Sequence, residues 1–159
     1  MEKYYKRVFA KKQEYKGIIF NSTLERDFAM FLDGKFFQYK GENFWHKPIE
    51  WKYEALEFEL IPQEEWVDRT EKEEKLKRIV RNKKHTLQRI IYTPDFYLPK
   101  YNLLVETKGF QFDDELFALR FRLFKHKYPD AIIWKITSHS DFNKIDKVLE
   151  NIKIGEKDE

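Results

Sequence analysis

Three stretches of the chain carry apolar residues at helical spacing. In residues 22–32, STLERDFAMFL, Leu24, Phe28, Phe31 and Leu32 fall on one helix face. Ser22 followed by Glu25 three positions later has the pattern of a capping box, and Gly34 ends the segment. Residues 113–128 repeat Phe117, Phe121, Phe124 and Tyr128 along one stripe. Asp113, Asp114 and Glu115 favour the N-terminus of that helix through its dipole, and Pro129 stops it. A last helix, from about Asp141, carries Phe142, Ile145, Val148, Leu149 and Ile152.

Four other stretches read as strands. Residues 50–61, EWKYEALEFELI, alternate in part and predict a strand or half of a hairpin, closed by Pro62. Residues 90–98, IIYTPDFYL, and 101–108, YNLLVETK, predict two strands joined at Pro99 and Lys100. Residues 131–137, AIIWKIT, have the composition of a buried strand. Residues 68–89 are mostly charged, with Leu76, Ile79 and Val80 allowing a short helix, and read as an insertion outside the core. Strands interleaved with helices imply a central sheet covered on its faces. No repeat or low-complexity linker divides the chain. We therefore expect a single α/β domain over residues 1–159, with an arm over 1–16, a charged insertion over 63–89 and a core over 90–137.

Composition changes this picture in a few places. With 159 residues and 42% hydrophobic positions, the chain has the size and the apolar content of one folded domain. Aromatic residues reach 18%, which predicts a ring-rich core holding Trp45, Trp51, Trp66 and Trp134 rather than base-stacking platforms. Cysteine is absent, which excludes disulfides and zinc-thiolate sites and fits a reducing compartment. No apolar run approaches the roughly 20 residues that span a bilayer. The first residues, MEKYYKRVFAKK, lack the apolar segment of a secretory signal. The expectation is a cytoplasmic protein without a membrane partner.

Net charge is only +3, but its distribution is uneven. Residues 1–16 mix Lys3, Lys6, Arg7, Lys11, Lys12 and Lys16 with Tyr4, Tyr5, Phe9 and Tyr15. They read equally as an arm that touches phosphates and as a solvated terminal strand. After Glu71, Glu73 and Glu74 come Lys75, Lys77, Arg78, Arg81, Lys83, Lys84 and Arg89, with no acidic residue among them. A one-sign block is a common footprint for phosphates, the alternative being a solvated loop. Arg120, Arg122, Lys125 and Lys127 lie on the polar side of the 113–128 helix, as solubilising charge or as further phosphate contacts.

Asp95, Glu106 and Lys108 are charged residues within or beside apolar strands. Alternate side chains of a strand share a face, so Glu106 and Lys108 project together. Leu103, Leu104 and Val105 are apolar on both faces, which marks a central strand. Ionisable groups at the end of such a strand are costly unless paired or used. If the two strands pair as a hairpin, Asp95 lies beside Glu106. Two neighbouring carboxylates repel, and a hard divalent cation relieves that repulsion. Mg²⁺ is usually held by one or two carboxylates plus water and substrate phosphate. Such a cation activates phosphate and water, and Lys108 offers a compact charge to orient the attacking water or stabilise developing charge. Asp followed by Glu-x-Lys on adjacent strands is thus a minimal kit for metal-assisted phosphodiester hydrolysis. The plain alternative is a surface ion pair.

The segment YTPDFYLPKYNLLVETKG, residues 92–109, resembles the PD-(D/E)xK nuclease motif. It resembles in particular the phage endonuclease I type of Holliday junction resolvase, whose motif has the same TPDF…LP…VETKG form. STLE, residues 22–25, resembles that family's upstream catalytic helix, and the order of elements over 17–137 is similar. A small phage-associated family of uncharacterised nuclease-like proteins is also similar, through YKGIIFNSTLE followed by PDF and VETKG blocks. The resemblance implies a restriction-endonuclease-like core: a central mixed sheet flanked by helices in αβββαβ order. It implies Asp95, Glu106 and the backbone carbonyl of Thr107 as ligands for Mg²⁺, with Mn²⁺ as a substitute. It implies Lys108 acting on the attacking water and Glu25 standing near a second metal or its water. It also implies branched or junction DNA as substrate, and a homodimer in which Glu25 can reach the other three residues from a second chain. The setting would be a bacterial or phage-infected cell.

The chain departs from the resolvases in the longer stretch before the PD motif, residues 63–89, which bears on dimer geometry and junction preference. On spacing alone Glu25 is a capping residue; the resemblance adds a catalytic role, and the two are compatible. His46, His85, His126 and His139 have no metal-ligand spacing. Pro94 reads as strand-entry geometry. Gly109 reads as the exit from the active-site strand or as a place of close approach for DNA backbone. The function expected is a metal-dependent, structure-selective endodeoxyribonuclease that resolves four-way junctions. The alternatives are a restriction-like or transposition-associated nuclease, a catalytically silent DNA-binding module of the same fold, and a structural protein with a surface ion pair.

Overall fold

A computed structural model describes residues 11–74, 77–109 and 115–155. In chain order these form β1 (Gln13–Tyr15), β2 (Ile18–Phe20), α1 (Thr23–Leu32), β3 (Phe37–Tyr39), β4 (Glu42–Phe44), β5 (Lys52–Tyr53) and β6 (Phe58–Ile61). There follow β7 (Glu64–Glu74), β8 (Lys77–Leu87), β9 (Ile90–Tyr92), β10 (Phe96–Leu98), β11 (Leu103–Thr107), α2 (Glu115–Lys127), β12 (Ile132–Ile136) and α3 (Ile145–Gly155). The architecture is mixed α/β, with several small sheets and three α-helices among the described residues. None of the described helices is long and apolar enough to cross a membrane. The chain divides into two compact units, one of residues 1–56, 94–113 and 130–159, the other of residues 57–93 and 114–129.

The first unit is built on the four-stranded sheet β12-β11-β10-β5. β11 runs parallel to β12 and antiparallel to β10, and β10 runs antiparallel to β5. Phe96, Leu98, Leu103, Val105 and Ile136 from this sheet pack with Phe28, Phe31 and Leu32 of α1 and with Phe142, Ile145, Leu149 and Ile152. Phe28 meets Phe96 edge-on at 5.2 Å, the arrangement ring quadrupoles favour. Ser22 caps α1 by accepting the Glu25 N–H, as the spacing predicts. The last helix differs from expectation. The Asp141 carboxylate accepts the N–H groups of Thr137 and Ser138, which tightens residues 139–144 into a 3-10 turn, and α3 begins only at Ile145.

Two hairpins, β1–β2 and β3–β4, have no counterpart among the elements expected from the sequence. Each turns on a Lys-Gly pair, Lys16-Gly17 and Lys40-Gly41, with both residues at positive φ as a type I′ turn requires. Lysine is an unusual first residue for that turn, so the signal is weak. Residues 13–16 therefore belong to a hairpin, while Lys3, Tyr4, Tyr5, Lys6, Arg7 and Phe9 of the expected arm lie outside the described residues.

In the second unit β6 and β9 pair antiparallel, and Phe124 of α2 packs against Phe58 and Tyr92 at 5.0 and 4.8 Å. The Tyr128 hydroxyl donates to the Glu59 carbonyl at 2.8 Å. Of the expected stripe only Phe124 is fully buried; Phe117, Phe121 and Tyr128 are half-buried. Asp113 and Asp114 lie outside the described residues.

Three expected elements are corrected. Residues 50–61 hold two short strands in different sheets, because Glu54 takes a left-handed φ of 45° and gives its N–H to the Asp95 carbonyl. Residues 90–98 split likewise into β9 and β10, at Pro94, which has no N–H for a ladder. Residues 68–89 contain no helix among the described residues; β7 and β8 form an eleven-residue antiparallel ribbon. Its register sets Asp68 against Lys83, Glu73 against Arg78 and Glu74 against Lys77. Val67, Thr70, Ile79, Val80 and Thr86 add β-branched residues suited to strands. Two of the four tryptophans expected in the core are also exposed, Trp45 at 58% and Trp66 at 48%.

Candidate active site

The β10–β11 register pairs Phe96 with Val105, so Asp95, one position earlier, falls opposite Glu106. This is the hairpin that the sequence required for the two carboxylates to meet. Asp95 Oδ2 accepts both the N–H and the Oγ1–H of Thr107, each at 2.7 Å. In an extended strand the N–H and C=O of one residue leave by the same edge, so the Thr107 carbonyl faces the Asp95 side. Glu106 is 7% exposed and Thr107 6%. Burial first, then the charges of Glu106 and Glu25, push the Asp95 carboxyl up to about 8, against the two Thr107 hydrogen bonds that favour its ionised form.

Glu25 reaches this group from the first turn of α1, within the same chain. Its Oε2 accepts the Tyr53 hydroxyl at 2.7 Å and the Asn21 N–H at 3.0 Å. Its Oε1 accepts the Ser22 hydroxyl at 3.1 Å. Only half of the expected capping box forms, Ser22 accepting the Glu25 N–H, while the Glu25 carboxylate takes the Asn21 N–H and approaches Asp95; the arrangement needs no Glu25 from a second chain. Lys108 is half-buried just past β11, with its N–H on the Ile136 carbonyl at 2.7 Å, and alternation puts it on the Glu106 face. Lys135 of β12 is the register partner of Glu106 and shares that face.

Asp95, Glu106, Glu25 and Lys108 are therefore gathered at one end of one sheet. Among the described residues, no three His, Asp or Glu side chains form a group that could hold a metal ion unaided. Two carboxylates and a backbone carbonyl are nevertheless hard oxygen donors of the kind Mg²⁺ or Mn²⁺ accepts, with water and phosphate completing the shell. The repulsion from Glu106 and Glu25 that adds to burial in raising Asp95 is what a cation would relieve, so the donor set fits such an ion. Two histidines are taken up structurally, His46 on Asp146 at 2.9 Å and His139 on Asp27 at 2.7 Å.

The basic candidates sit elsewhere in the chain. Lys83, Lys84, Arg89, Arg120 and Lys125 are exposed and belong to the second unit. Arg89 forms a surface pair with Glu57 at 3.7 Å, the kind of contact that contributes little. Lys77, Arg78 and Arg81 fall on β8, but their side chains, like the whole of Lys75, lie outside the described residues. Residues 64–89 hold nine Lys or Arg against six Asp or Glu, an excess equal to the net +3 of the whole chain. In register, Lys77, Arg78 and Lys83 of the one-sign block lie opposite Glu74, Glu73 and Asp68, while Arg81 and Lys84 lie opposite Thr70 and Val67.

Reading the sequence alone missed Tyr53, Asn21 and Lys135. Lys135 left a signal, as the one charge in AIIWKIT; Tyr53 and Asn21 left none, because only the fold brings them to Glu25. A Cβ at Gly109 would meet nothing within 4 Å, so packing does not demand glycine there. Comparison with protein-family models, with curated proteins and with solved structures found no match for this chain.

Proposed function

We propose that this chain is a divalent-metal-dependent endodeoxyribonuclease with a PD-(D/E)xK core, acting on branched DNA such as a four-way junction. The observation that carries the reading is Asp95: a half-buried carboxylate fixed by Thr107, opposite Glu106 and within the field of Glu25. Three acidic groups held together at a sheet end are costly by themselves and become favourable around a cation. Asp95, Glu106 and the Thr107 carbonyl would hold Mg²⁺, or Mn²⁺ in its place. The cation supplies Lewis-acid activation of phosphate and water. Lys108 orients the attacking water and offsets charge as it develops on the phosphate. Glu25, held by its own hydrogen bonds, adds negative charge at the cation side. Lys83, Lys84 and the ribbon that bears them bind the DNA backbone. A homodimer follows from two symmetric cuts, which need two sites, and the setting is the cytoplasm of a bacterial or phage-infected cell.

The experiment is cleavage of a labelled four-way junction beside a linear duplex of the same sequence, with Mg²⁺ or with chelator, for the wild type and Lys108→Ala. Paired symmetric cuts in the junction alone, abolished by chelator and reduced about a hundredfold or more in the variant, are expected. Equal cutting of both substrates would remove the junction preference. A second reading is a silent DNA-binding module of the same fold. That module would bind DNA through the same exposed lysines of the ribbon without cutting it. No cutting with any divalent metal, alongside retained DNA binding, would decide for it.

A further inference from the structure

Glu25 has more holding it than a helix cap requires. The Ser22 hydroxyl and the Asn21 N–H come from the turn that opens α1 and hold the carboxylate locally. The Tyr53 hydroxyl comes from a strand 28 residues away. It spends its single proton on Glu25 Oε2 at 2.7 Å and accepts Asn21 Nδ2 at 3.2 Å. Asn21 Nδ2 also donates to Glu54 Oε1 at 3.4 Å, so the amide is anchored as well. The Tyr53 ring lies 4.7 Å from Phe20 and 5.5 Å from Phe96. Phe96 is both the residue after Asp95 and the register partner of Tyr53. One side chain therefore ties the helix start bearing Glu25 to the strand bearing Asp95. Burial, the hydrogen bond to Glu25 and the surrounding carboxylates push the phenol above its ordinary range, so its proton stays in place.

We infer that Tyr53 is a positioning residue that fixes where the Glu25 carboxylate stands relative to Asp95, and through it tunes cation binding. The inference rests on the nuclease reading above, which gives Glu25 its work. Groups that orient charges around a metal typically change affinity or activity by roughly 10–100-fold when removed.

Tyr53→Phe keeps the ring and removes the proton. Mn²⁺ binding is measured by calorimetry on the DNA-free full chain, and the Mg²⁺ dependence of cleavage is measured in parallel. The series is wild type, Tyr53→Phe, Glu25→Gln and the double variant. Tyr53→Phe is expected to weaken Mn²⁺ binding about tenfold and to raise the Mg²⁺ half-saturation of cleavage as much, with the rate at saturating Mg²⁺ within about threefold. In the Glu25→Gln background the same change adds at most about twofold, since the two act through one contact. Asn21→Ala, at an exposed position, shifts Mn²⁺ binding the same way by about threefold and serves if Tyr53→Phe folds poorly. Unchanged Mn²⁺ affinity with only a lowered melting point, or a full tenfold loss added to Glu25→Gln, overturns the inference while the nuclease reading stands. A wild type that neither binds Mn²⁺ nor cleaves sinks the nuclease reading, and the inference with it.

Discussion

Replacing Asp95 by Asn should stabilise the metal-free protein, and by more as the pH rises. The folded carboxyl is pushed from 3.8 up to about 8 by burial and by Glu106 and Glu25. A raised carboxyl holds its proton in the folded state when the unfolded chain has lost it. The stability it contributes is therefore full below about pH 4 and disappears as the pH rises through about 8. Each tenfold change in proton affinity between the folded and unfolded chain is worth about 1.4 kcal/mol, which sets a ceiling of roughly 5–6 kcal/mol. The group is not wholly dry, and at an effective dielectric of about 20 two charges about 5 Å apart repel by only about 3 kcal/mol. We expect about 1–3 kcal/mol at pH 8, or about 3–10 °C in melting point. Asparagine preserves what Asp95 does locally, because its Oδ1 can accept both Thr107 hydrogen bonds while its NH₂ faces the remaining carboxylates. The assay is thermal unfolding of both proteins in chelator at pH 4.5, 6.5 and 8. The variant should gain on the wild type across that range. Adding Mg²⁺ should then reverse the order, since binding at a hundred times Kd stabilises by about 2.7 kcal/mol and the variant binds less well. A variant that melts below the wild type at pH 8 in chelator, or a difference that ignores pH, would refute the electrostatic reasoning.

Two further outcomes concern other parts of the chain. Lys83→Ala with Lys84→Ala should weaken binding to any duplex sequence alike, and the slope of log affinity against log salt should fall by about 2, read by titrations at several salt concentrations. An unchanged slope would take these exposed lysines off the DNA. Gly34→Ala should destabilise by about 1–3 kcal/mol in denaturant unfolding, because φ is 75° there and a new Cβ would come within 2.8 Å of the Pro48 ring; wild-type stability would contradict this.

What could be read from the sequence was whatever rests on neighbours in the chain. The α1 face of Leu24, Phe28, Phe31 and Leu32 repeats locally, and all four are buried as the period demands. Asp95 and Glu106 could be placed together because a short turn at Pro99 leaves the two strands little choice but to pair, and the register follows from the turn. The charged stretch was misread for the opposite reason. Charges in a row carry no period that separates a loop, a helix and an exposed strand. The information lay in pairing an acidic run with a basic run in antiparallel register, which no single window contains. Residues 50–61 failed similarly, since one left-handed Glu54 divides what composition presents as a continuous strand.

Glu25 sits where these two kinds of information meet. A capping box asks the carboxylate at the third helical position only to accept the N–H of Ser22; Glu25 instead accepts the Ser22 hydroxyl and the Asn21 N–H, while Ser22 accepts the Glu25 N–H. Nothing in capping calls for burial of Glu25 to 5% exposure, for a phenol from a separate strand, or for a field that raises a neighbouring aspartate. A carboxylate used only for capping would do better in water, where its own charge is solvated and Asp95 ionises freely. The fold instead draws it in among acidic neighbours and hydrogen-bonds it firmly enough to remain. Local stability argues against that placement, and the divalent cation proposed above would turn it to advantage.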